Sequence, residues 1–119
     1  MKKVLWISRH QMTLDQFKDL ERIMGEEIRI IQWADTVKTV DELRPYISDV
    51  DAIAAVLPLN MICGLLPIAE GRPVLCAVSD RKPNGKTVRL SDGRQEQQFD
   101  FIHLYWEQVE RCEIVTRRL

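Results

Sequence analysis

Apolar residues along this chain come in short runs, separated by stretches whose spacing is helical. Val4 to Ile7 is an apolar run of the kind that makes a buried strand. Thr13 and Gln16 then stand at the spacing of a capping box, in which each side chain satisfies a free backbone N–H of a first helical turn. Met12 and Phe17 flank the box like a hydrophobic staple. Phe17, Leu20, Ile23 and Met24 follow at helical period, and Gly25 supplies a stop. The spacing predicts a helix over residues 14–24.

Ile28 to Trp33 reads as a second strand. Thr39 and Glu42 repeat the capping-box spacing ahead of Leu43, Tyr46 and Ile47, which predicts a short helix kinked or displaced by Pro45. Ala52 to Leu57 is a third strand, apolar on both faces as a central parallel strand is. Asn60 is placed to cap a third helix running to Ala69, with Gly64 and Pro67 weakening it, and Val74 to Val78 reads as a fourth buried strand. Each connection is long enough for a right-handed crossover, so the order predicts a Rossmann-like parallel sheet with crossover helices.

The remainder changes character. Asn84-Gly85 and Asp92-Gly93 are turn dipeptides around Thr87 to Leu90, and Phe99 and Phe101 alternate with polar neighbours. Tyr105 to Arg111 reads as a helical turn or a bend, and Ile114 to Thr116 as another strand. The expectation is a C-terminal antiparallel β extension on the parallel core. Nothing divides the chain, so residues 1–119 are read as a single domain.

Composition narrows the classes. The 119 residues suffice for one hydrophobic core, and 45% hydrophobic with 29% charged residues argues against disorder. A formal net charge of -1 gives no reason to expect a duplex nucleic-acid binder held by bulk charge, so an anion site must be local. The apolar runs are too short to span a bilayer, and the first lacks a small-residue cleavage site, so the chain is expected to be cytoplasmic. Cys63, Cys76 and Cys112 are odd in number and far apart, and are read as buried thiols.

In an open parallel α/β sheet, ligands bind beyond the carboxyl ends of the strands. Those ends carry Ser8-Arg9-His10, Asp35-Thr36, Pro58-Leu59-Asn60 and Ser79-Asp80-Arg81. A hydroxyl, a guanidinium and an imidazole just before a helix N-terminus can cradle an anion, with Asn60 and Arg81 converging on it. The plain structural reading is that these loops are polar because they meet water, with Ser8 serving the backbone and Arg9 pairing with Asp35. Dinucleotide and phosphate-loop glycine motifs are absent, and His10 and His103 are too isolated for a zinc hydrolase, so no metal or cofactor is expected. A second cluster holds His103, Tyr105, Trp106, Glu107 and Gln108. We read its aromatic pair as closing the edge of the core or a dimer contact, with base stacking as the alternative. The basic residues Arg81, Lys82, Lys86, Arg89 and Arg94 fall in or near the predicted hairpin, as edge protection or as a lid over an anion.

The opening Val4-Leu5-Trp6-Ile7-Ser8-Arg9-His10, followed by Met12-Thr13 and Gln16, resembles small CRISPR-associated Rossmann-like (CARF-like) proteins. Several of these are ring nucleases, hydrolases that cut cyclic oligoadenylate messengers in antiviral defence. The opening is also similar to proteins of bacterial mobile elements and phages for which no activity is implied. The first resemblance covers about the first 25 residues and the order of elements. It implies a homodimer around a two-fold-symmetric cyclic oligonucleotide, cut without metal by attack of a ribose 2′-hydroxyl on its neighbouring phosphate. Arg9 would then stabilise the developing charge, Ser8 hold a phosphate oxygen, His10 act as general base or acid, and Asn60 orient the ribose or a base. Two alternatives stay open: a nucleotide sensor or sponge that does not cut, and a protein-interaction module using the aromatic C-terminal edge.

Overall fold

The computed structural model describes residues 1–119. Four strands run parallel. They are β1 (Lys2–Ile7), β2 (Ile28–Trp33), β3 (Ala52–Ala55) and the first part of β4 (Val74–Arg89). A fifth strand, β5 (Gln95–Gln108), pairs antiparallel with β4. The sheet is therefore mixed, five-stranded, and ordered β2-β1-β3-β4-β5. Parallel neighbours demand crossovers, and α1 (Leu14–Met24), α2 (Arg44–Ile47) and α3 (Leu59–Ile68) lie in them. No helix is long and apolar enough to cross a membrane.

The sheet separates two apolar clusters. On one face Leu20 of α1, with Phe17 and Met24 beside it, packs on Val4, Trp6, Ala54 and Trp106. On the other, Leu43 and Ile47 of the second crossover join Ile62 and Leu65 of α3 against Leu5, Ile7 and Ile53. Strands β1 and β3 are buried on both faces, which is why they read as unbroken apolar runs. At the start of α1, Thr13 Oγ1 accepts from the Gln16 amide at 3.2 Å, while Gln16 Oε1 accepts from the Thr13 amide at 2.9 Å. Gly25 ends the helix at φ 78°, a left-handed conformation that glycine adopts without strain. Ile23, counted in the apolar stripe, faces solvent.

Several expectations are corrected. The second crossover splits into a 3-10 turn, Val40–Leu43, and the four-residue α2, with Pro45 in its first turn, where a missing N–H costs little. Strand β3 stops at Ala55 because Val56 and Leu57 lead into Pro58, and Pro58, not Asn60, occupies the cap position of α3. Asn60 sits in the first turn of that helix. Asn84-Gly85 is not a turn. It interrupts the long β4–β5 ladder as a bulge between Pro83 and Thr87, with Gly85 at φ 79°, and the hairpin turns instead at Asp92-Gly93. Tyr105–Gln108 continues β5 rather than bending into a helical turn, because Trp106 is drawn into the core under α1.

Ile114 to Thr116 finds no partner strand and lies exposed without regular structure. Nor are the three cysteines all thiols. Cys63 of α3 and Cys112 of the C-terminal segment form a disulfide, their Cα atoms 5.6 Å apart, within the span such a bond bridges. Cys76 alone is free. A separation of 49 residues gave no hint of this pairing, since only the fold brings the two together.

Candidate functional site

The strand order makes one place special. After β1 the chain turns to α1 on one face, and after β3 it turns to α3 on the other. Adjacent parallel strands whose connections part in opposite directions leave a crevice between their carboxyl ends. A cavity of about 350 Å³ lies there, walled by Ser8, Arg9 and His10 after β1, Asp35 and Thr36 after β2, and Met61 of α3.

The loop after β1 is held from several sides. The Trp6 indole donates to the His10 carbonyl at 2.9 Å, and the Gln32 amide donates to the carbonyls of Ser8, at 2.9 Å, and His10, at 3.1 Å. Ser8 is buried, and its hydroxyl oxygen accepts from the His10 amide at 3.1 Å. Ser8 thus serves the backbone, as the plain reading had it, and also lines the cavity. Backbone fixed this way presents the next side chains in one geometry, which lowers the ordering cost of binding.

Arg9 is exposed at the wall and donates from Nη2 to the Thr36 hydroxyl, not to Asp35. It forms no ion pair, so most of its five N–H donors remain for a ligand. The His10 side chain is exposed at the same wall. Pro58 brings no side-chain cap to α3, so the first amides of that helix, Leu59 and Asn60, are left as donors beside Pro58 and Met61. The N-terminus of α1 is less free, because its capping box already uses the Thr13 and Gln16 amides.

Ser8, Arg9 and His10 therefore come together, with Thr36 as the partner that fixes Arg9. Asn60 stands between Pro58 and Met61, which line the cavity, without lining it itself. Arg81 is not brought there. It lies on the hairpin with its guanidinium 3.7 Å from the centroid of the Phe99 ring. Gln32 and Thr36 are the residues that sequence reasoning missed as supports. Gln32 had a signal, as the uncharged polar residue in Ile28-Arg29-Ile30-Ile31-Gln32-Trp33.

The C-terminal cluster is structural at Trp106, which is 8% exposed, meets Trp6 edge to face at 5.9 Å, and donates from its indole to the Gln16 carbonyl at 3.1 Å. Beside it the His103 side chain is buried, with Nε2 2.9 Å from Asp19 Oδ2. That hydrogen bond holds the Asp19 carboxyl below the usual carboxylate range, with Arg22 adding to it and burial opposing. On β4, burial pushes the Cys76 thiol up, and nearby Glu107 adds to the shift, so this cysteine is a poor nucleophile. Compared with protein-family models, curated proteins and solved structures, the chain has no significant match.

Proposed function

We propose that this chain binds a nucleotide-type anionic ligand in the crevice beyond β1 and β3. One observation carries the reading: a guanidinium without a carboxylate partner, braced by Thr36, on the wall of a cavity beside the uncapped first turn of α3. Arg9 matches the oxygens of a phosphate by its fork of donors, and the first amides of α3 add a favourable dipole end. Asp35 shares the wall and opposes an anion, which sets a modest affinity.

The stronger form of the proposal is cleavage of cyclic oligoadenylate, as the resemblance of the opening residues implies. A ribose 2′-oxygen attacks phosphorus, the bond to the 5′-oxygen breaks, and a 2′,3′-cyclic phosphate forms. His10 takes the 2′-hydroxyl proton, the departing 5′-oxygen takes one from water, and Arg9 stabilises the charge on the phosphoryl oxygens. Two copies of the chain around the ligand's two-fold axis complete this form.

Thermal shift with linear and cyclic oligoadenylates tests binding, since a ligand held only by the folded state raises its stability. Chromatography of the cyclic compound incubated with protein and chelator tests cleavage. Binding with intact substrate leaves a sensor or sponge. No shift with any oligonucleotide contradicts the proposal. A second reading, a protein-interaction edge, is supported by exposed Ile102, Leu104 and Tyr105 on β5. Sedimentation would then show self-association that Ile102→Lys abolishes.

A further inference from the structure

The crevice has a second chamber. On the α1 side of the sheet lies a cavity of about 570 Å³, walled by Trp6, Val56, Ala77 and Phe101, with Gln16 and Ser79 as polar neighbours. Ser8, His10 and Val56 line both cavities, so the two meet over the end of β1. Their chemistry differs. Arg9, Asp35 and Thr36 belong only to the first, whereas Trp6 and Phe101 supply aromatic surface only to the second.

Phe101 is the unexplained residue of this chamber. Its cross-strand register puts it on the same face of β5 as His103 and Trp106, yet it is 70% exposed while they are covered by α1. A flat ring laid against it removes apolar surface from water on both partners. The chamber is not wholly apolar. Gln16 spends Oε1 on the Thr13 amide, which turns its NH2 group to other acceptors, and Ser79 is an exposed hydroxyl. A heterocycle with hydrogen-bonding edges suits that mixture better than a plain hydrocarbon ring.

We infer that the α1-side chamber receives the planar base of a nucleoside phosphate whose phosphate lies at Arg9 and Thr36, the sugar passing over Ser8 and His10. This rests on the anion reading above and narrows it to one compound class, held across the end of a single strand. Phe101 supplies the stacking surface, and Gln16 and Ser79 read the edge of the ring.

Titration calorimetry on the full chain, at fixed ionic strength, tests it with adenosine 5′-monophosphate, cytidine 5′-monophosphate and inorganic phosphate. At least one nucleotide should bind more tightly than phosphate. Phe101→Ala should weaken that nucleotide about 5- to 150-fold, the range for a stacked base, and leave phosphate unchanged. Phe101→Tyr should retain the affinity, and Arg9→Ala should weaken nucleotide and phosphate together. Nucleotides bound no better than phosphate, or bound equally by the Phe101→Ala protein, overturn the base chamber and leave the anion site standing. Failure of all three probes to bind overturns both.

Discussion

The β1–β3 pair is parallel and lies inside the protein, and the outer β4–β5 ladder is antiparallel and meets water along most of its length. Val4 to Ile7 and Ala52 to Ala55 are buried throughout, whereas along β5 only the side chains of His103 and Trp106 are buried. The first pair is held by two layers of helices. The second is held near its base, through His103, Trp106 and α1, and then projects as a bulged hairpin. Burial on both faces fixes a strand so firmly that the loop at its end can be aimed, and the candidate site sits where that rigid part stops. The half-exposed ladder contributes surface instead, above all Phe101.

This contrast sets expected effects of very different size. Leu20 is fully buried, and Leu20→Ala should lose about 2–5 kcal/mol through lost transfer energy and a residual cavity. Phe101→Ala, out on the ladder, should change stability by no more than about 0.5 kcal/mol. Urea denaturation of the two variants decides it, and equal losses would deny the difference between the regions. Within the site, Arg9→Ala should weaken phosphate binding by roughly 1.5–3 kcal/mol, the range for hydrogen bonds to charged groups. Asp35→Asn should strengthen it, and calorimetry with inorganic phosphate reads both.

A smaller effect belongs to the helix that joins the regions. Thr13→Ala should lose about 1 kcal/mol by removing the cap of α1, and an unchanged denaturation midpoint would deny the cap its role. The contact between α1 and the ladder should also show in acid. A carboxyl held below its ordinary value of 3.8 in the fold stabilises the protein at higher pH, and that contribution is lost as pH falls through the folded value. Wild-type stability should therefore fall more steeply below about pH 4 than that of Asp19→Asn, measured by denaturation across that range.

The two regions were also unequally legible. Buried parallel strands announce themselves as apolar runs, and the Thr13–Gln16 box marks a helix start by chemistry local to a few residues. The ladder hides its length, because Pro83 and Asn84-Gly85 look like punctuation and become a bulge only once β5 is paired alongside. The end of β1 could be found from strand order alone, and Ser8, Arg9 and His10 with it. That Thr36 rather than Asp35 braces Arg9, that Arg81 turns to Phe99, and that Cys63 meets Cys112 depend on tertiary placement.

If an anion binds at the end of β1, amide chemical-shift mapping during titration with adenosine 5′-monophosphate will locate it there. Shifts are expected at the Arg9 and His10 amides, at Thr36, and at Leu59 and Asn60 in the first turn of α3, all reduced by Arg9→Ala. Shifts confined to the hairpin between Asn84 and Arg94, or none at saturating nucleotide, would contradict binding at the end of β1.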